Sequence, residues 1–122
     1  MKRILGLVVV ALLLLASLAA CGPKSPIDPA FVGTWASDST TAQMSIAVEE
    51  GQVVIKAWDT DTGADFVVTP VEIVYDKITA EFYFPPNDFR TTRTYTLNDD
   101  KGLTDTYSGG AQGTILWYKL AE

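Results

Sequence analysis

The sequence predicts an all-β domain, a small eight-stranded antiparallel meander barrel, on three observations. From Phe31 onward the chain is rich in valine, isoleucine, threonine, tyrosine and phenylalanine, residues that suit a pleated, half-buried surface. Apolar and polar side chains alternate with a period of two, and no helical period appears. Turn-forming residues recur about every 8 to 12 positions, the spacing of an all-β domain with short connections. Short connections favour pairing between sequence neighbours, and closure of the meander into a barrel removes exposed edges. A two-sheet sandwich is the alternative.

The chain opens with Lys2 and Arg3, runs through an apolar stretch from Ile4 to Leu15, and passes into small residues at Ala16, Ser17, Ala19 and Ala20. This is the order of a secretory signal peptide, and the run is at the short end of the roughly 17 to 25 residues a spanning helix needs. The only cysteine follows at once. Leu18-Ala19-Ala20-Cys21 resembles the lipobox of bacterial lipoproteins. That resemblance implies cleavage between Ala20 and Cys21 and attachment of a diacylglycerol and a further acyl chain, such as palmitate, at Cys21. Two or more acyl chains hold a protein on a membrane where one does so only marginally. Gly22, in place of an aspartate, implies outer-membrane sorting if the host has two membranes.

Removing residues 1–20 takes Lys2 and Arg3 away and leaves seven basic against 15 acidic residues, a net charge of −8. Such a surface repels phosphate backbones and excludes nucleic acid as a partner. A single cysteine excludes an internal disulfide, and the absence of histidine removes the commonest general base and metal ligand. Residues 21–30 carry Pro23, Pro26 and Pro29 and read as an extended tether that lifts a single domain, residues 31–122, from the lipid.

Within that domain the strands are expected near 31–36, 41–48, 53–58, 66–75, 78–84, 90–97, 103–107 and 114–120. The clearest is 42–48, where Ala42, Met44, Ile46 and Val48 alternate with smaller or polar neighbours before Gly51 marks a hairpin turn. Asp76-Lys77 reads as another tight turn, and Asn98 to Gly102 as a longer one. Pro70 cannot donate a ladder hydrogen bond, so a bulge or bend is expected there. Phe31, Trp35, Met44, Ile46, Ile55, Ile73, Phe82, Phe84, Tyr95 and Leu97 are the expected core. An eight-stranded barrel is just wide enough for such side chains to fill, which leaves no deep cavity.

Phe31-Val32-Gly33-Thr34-Trp35 resembles the Gly-X-Trp motif of lipocalins and related small barrels. The resemblance implies a tryptophan plugging one end of the barrel, with a basic residue of the last strand lying across it. Lys119 is the candidate for that place, where the family has arginine.

Four groups of residues are candidates for chemistry. A turn at Asp76-Lys77 sets Tyr75 against Ile78, Ile73 against Ala80 and Val71 against Phe82, and it puts Glu72 opposite Glu81. Paired carboxylates suit glycan hydrolysis or a cation. Asp59, Asp61 and Asp65 carry oxygen ligands, but the spacing departs from the calcium-loop pattern and equally suits an ordinary turn. The register that joins Leu97 to Leu103 sets Tyr95 beside Asp105 and Arg93 beside Tyr107, so Arg93 and Asp105 form a polar cluster inside the barrel. Trp58, Tyr83 and Trp117 are assigned to less clearly buried faces, where aromatic side chains serve interfaces.

These features favour a binding module over an enzyme. The expectation is a monomeric envelope lipoprotein, held to the membrane through Cys21, that binds an envelope protein or a small ligand without metal or cofactor. Trp58, Tyr83, Arg93 and Asp105 are its candidate contacts. Tyr107-Ser108-Gly109-Gly110 with Leu116-Trp117-Tyr118-Lys119 resembles small lipoproteins that inhibit lysozyme, an alternative, and a hydrolase using Glu72 and Glu81 is a second.

Overall fold

A computed structural model describes residues 25–120. Residues 1–20, Cys21 and the first part of the tether lie outside the described residues. The fold is an up-and-down meander of eight antiparallel strands: β1 (Gly33–Ala36), β2 (Ala42–Glu49), β3 (Gln52–Asp59), β4 (Val67–Val74), β5 (Lys77–Phe84), β6 (Phe89–Leu97), β7 (Leu103–Gly109) and β8 (Gly113–Lys119). Strand β1 pairs with both β2 and β8, so the ladder runs β3-β2-β1-β8-β7-β6-β5-β4 and curls into a barrel. Closure is incomplete. No hydrogen-bonded ladder joins β3 to β4, which leaves a seam along the wall; the Trp58–Asp65 bridge ties the end of β3 to the connection that follows it.

Turn chemistry sets the registers. Glu50 and Gly51 both take positive φ (52° and 77°), as a tight two-residue hairpin requires, and Glu49 faces Gln52. At the next tight turn the structure corrects the sequence reading. Tyr75 and Asp76 make the turn, Val74 faces Lys77, and Ile73 faces Ile78. The bulge expected at Pro70 is present between Pro70 and Glu72. Because one extra residue reverses the alternation, Val71 points outward and Val68 takes the place opposite Phe82.

The slip also separates the expected carboxylate pair. Glu72 faces Thr79 and is bonded to Lys77 at 3.0 Å, while Glu81 faces Thr69 and is bonded to Arg90 at 3.1 Å. Each is therefore half of an exposed ion pair and not of a directly opposed pair of carboxylates.

The interior is filled by side chains from every strand except β4, whose Val68 and Ile73 pack at its margin. Of the expected core, Phe31, Trp35, Met44, Ile46, Phe82 and Tyr95 are buried; Ile55, Ile73, Phe84 and Leu97 are half-buried. Tryptophan 35 is fully buried, and its indole N–H donates to the Phe31 carbonyl at 2.9 Å. The Lys119 ammonium lies 5.1 Å from the Trp35 ring. Gly33 makes room for it: φ is 149°, and a Cβ there would come within 3.1 Å of the lysine stem.

The tether is shorter than expected. Ile27 is fully buried, the Asp28 N–H donates to the Tyr75 carbonyl at 2.8 Å, and a 3-10 turn at Pro29–Phe31 carries Phe31 into the core. Pro29 suits the first position of such a turn because its missing N–H has no partner there, and the Asp28 carboxylate accepts from the Ala30 N–H at 3.0 Å. Residues 27–31 therefore plug one end of the barrel.

Candidate ligand pocket at the open end

The β6–β7 hairpin positions the polar interior. The Asn98 side-chain oxygen accepts from the N–H groups of Asp100 and Gly102, both at 3.0 Å, and Lys101 adopts a left-handed φ of 63°. This pins Leu97 to Leu103, and the ladder then sets Tyr95 opposite Asp105 and Arg93 opposite Tyr107. Those pairings are the ones the sequence predicts. Period-two alternation turns all of them inward.

Asp105 is fully buried, and one of its oxygens, Oδ2, takes both available donors. Arg93 Nη1 lies 2.7 Å away and Trp117 Nε1 3.0 Å away. Arg93 also donates from Nε to Thr91 Oγ1 at 3.1 Å, and its guanidinium lies 4.5 Å from the centre of the Tyr107 ring. Burial raises the Asp105 carboxyl above its ordinary value, and the opposing Arg93 charge and the bonds from Trp117 and Arg93 do not offset it. Burial, and then the neighbouring Asp105, push the Tyr95 hydroxyl well above the usual range for tyrosine, so it stays protonated.

Two buried polar atoms are left without a partner among the described residues: Tyr95 Oη and Asp105 Oδ1. Arg93, Tyr95 and Trp117 form the polar side of a cavity of about 50 Å³ whose other walls are Met44, Ala57 and Phe82, with Thr40 and Phe66 at the rim. That is room for one to three waters or a chemical group of similar size. A wider hollow of about 620 Å³ at the plugged end, between Ala30, Asp100 and Tyr118, is open to solvent and has no unpartnered buried polar atom.

The other candidate residues lie elsewhere. Trp58 is half-buried beside the seam, in a groove of about 270 Å³ with Ile55 and Phe66. Tyr83 is on the outer wall under the Arg90 guanidinium, 4.0 Å from its ring centre, and its hydroxyl engages Asp88, which raises its pKa. Trp117 is not an interface residue: it is buried and is a member of the polar cluster. Tyr107 packs under Arg93, whereas Gly110, in the β7–β8 connection, donates to the Arg90 carbonyl of β6 at 2.9 Å. Asp59 accepts from Thr41 of the β1–β2 connection at 2.6 Å and from Thr62 of its own loop at 2.9 Å, which lowers its pKa. Among the described residues no group of three or more acidic side chains is placed to hold a metal.

Fold and site together define a small up-and-down β-barrel, plugged at one end by its own N-terminal segment and open at the other onto a polar floor. Comparison with protein-family models, curated proteins and solved structures finds no match.

Proposed function

We propose that this protein is a lipid-anchored binding module of the cell envelope, attached through Cys21 and, in a host with two membranes, resident at the outer membrane. It binds at the open end of the barrel and performs no turnover. One observation carries the reading: a small cavity toward that end is lined by Arg93, Tyr95 and Trp117, and behind this lining Tyr95 Oη and Asp105 Oδ1 are buried without a partner. A buried polar atom left unpaired costs about 1–3 kcal/mol, and a guest that hydrogen-bonds to it recovers that cost. The apolar walls favour a guest whose tip is small and polar and whose neighbouring atoms are carbon.

Anchorage supports the same reading. Five residues lie between Cys21 and the buried Ile27, so the two are at most about 22 Å apart when the chain is extended. The plugged end then faces the lipid and the open end faces away. A photo-crosslinking residue tests the proposal when placed at Thr40, on the rim, or at Thr106, on the outer wall, of the full chain in living cells. Thr40 is expected to yield a product that Thr106 does not. Equal products from both positions, or none from Thr40, contradict it.

A further inference from the structure

The plugged end carries an uneven share of the exposed apolar surface. The meander brings the β2–β3, β4–β5 and β6–β7 turns to this end, and the N–H of Asp28 in the plug fixes the second of them by donating to the Tyr75 carbonyl at 2.8 Å. Val74 (41% exposed) and Tyr75 (55%) lie at that turn, Val32 (38%) follows the plug, and Tyr118 (47%) lines the adjoining hollow together with Ala30. Four of the eight large apolar side chains exposed among the described residues are therefore at this end, and only Val67 and Phe89 lie toward the other. The same end is acidic. Glu49, Glu50, Asp76, Asp99 and Asp100 are exposed there with no ion-pair partner among the described residues, and they outnumber Lys101 and Lys119, since Lys77 is already paired with Glu72.

We propose that this end docks on the bilayer, with Val32, Val74, Tyr75 and Tyr118 seated among the headgroups of zwitterionic lipids, a docking that rests on the reading of Cys21 as the lipid-bearing residue. Tether length identifies the occupant. With Cys21 held at the lipid, the plug residue Ile27 stays within about 22 Å of it, and the open end lies a strand's length farther out. A short tether keeps the nearest surface at high effective concentration beside the bilayer, so modest apolar contacts suffice to seat it. Tyrosine suits that depth because its ring is apolar and its hydroxyl remains in water. The hydrogen bond from Asp28 already holds the Tyr75 turn in place, so docking orders little backbone. Charge selects the headgroup. An anionic surface repels the five carboxylates, whereas the ammonium groups of phosphatidylcholine or phosphatidylethanolamine attract them.

Bromolipid quenching of the full chain, purified from its own membranes and reconstituted into phosphatidylcholine vesicles, tests this. Cys21 is the only cysteine, so once it carries lipid a fluorophore reacts with an introduced thiol alone. On Asp76→Cys, in the turn at the plugged end, the fluorophore should lose most of its emission when the vesicle lipids are brominated; on Gln112→Cys, in the β7–β8 connection at the other end, it should lose almost none. Val74→Asn with Tyr75→Asn should abolish the loss at position 76 while the chain stays on the vesicle, Tyr118→Ser should reduce it, and Leu116→Ser, on the wall, should not. Replacing half of the phosphatidylcholine with phosphatidylglycerol should weaken it. A lipidated chain quenched equally at both positions, or at neither, overturns the proposal, as does quenching at position 76 that survives the changes at Val74, Tyr75 and Tyr118 or grows with phosphatidylglycerol. The mass of the purified chain separates this failure from that of the anchor: a chain without lipid on Cys21 overturns the anchor and the docking with it, whereas the other adverse results overturn the docking alone.

Discussion

Trp117 and Arg93 converge on a single oxygen of Asp105: the indole N–H donates at 3.0 Å and the guanidinium at 2.7 Å, and the second oxygen is unused. A carboxylate in an apolar barrel is tolerated only when paired, so these three side chains, from β6, β7 and β8, stand or fall together.

Asp105→Ala should destabilise the protein by about 3–5 kcal/mol, because it leaves the Arg93 charge largely buried without its partner. Arg93→Met combined with Asp105→Leu should cost clearly less than the sum of the single changes. Urea unfolding of the four proteins measures both. Additive losses would mean that the pair is not coupled.

Burial holds the folded Asp105 pKa above its ordinary 3.8, so the folded state binds this proton more tightly than the unfolded chain does. Below 3.8 both states are protonated and the group has no differential effect. As pH rises through the raised folded value Asp105 destabilises progressively, and above that value its effect is constant. Asp105→Asn removes the dependence. The stability of the wild type relative to this variant should therefore fall as pH rises above 3.8 and level off once pH exceeds the raised folded value. A relative stability that rises over this range would show that Arg93 outweighs burial.

The plug should be energetically part of the barrel. Trp35→Ala is expected to cost about 3–5 kcal/mol and Ile27→Ala about 2–5 kcal/mol, since both side chains are fully buried. An Ile27→Ala midpoint equal to wild type in urea would return residues 25–30 to the tether.

Cys21→Ser should abolish labelling by a palmitate analogue in cells and leave an uncleaved or mislocalised precursor. The Leu-Ala-Ala-Cys ending after an apolar run motivates this. A Cys21→Ser protein that still carries the label contradicts the anchor.

Much of this architecture is legible in the sequence where alternation and turn chemistry agree. Asn98 to Gly102 is a turn with a single consistent register, and it delivers Arg93, Tyr95 and Asp105 to one interior. At β4–β5 the period of two determines which residues share a face but not which of two overlapping dipeptides turns. There the Val74–Lys77 pairing wins and the bulge reverses Val71. Trp117 is ambiguous for a different reason. Ile115 to Tyr118 is apolar throughout, so no polar residue marks the outer face, and only pairing with Leu103 settles it. Ile27 is one apolar residue among prolines, a weak signal that becomes core only because Asp28 and Pro29 fold the chain back. The seam depends on how far the sheet curls, which strand patterns do not encode.

Native mass spectrometry of the full chain extracted from its own membranes tests the central claim, binding at the open end, most directly. Tyr95→Phe provides the comparison, because removing an unpartnered buried hydroxyl should leave stability unchanged or raise it by up to about 1 kcal/mol. The account predicts a bound species, small molecule or protein, on the lipidated wild type that is lost or strongly reduced in Tyr95→Phe at equal stability. No bound species on the wild type, or the same species retained in full by Tyr95→Phe, would contradict it.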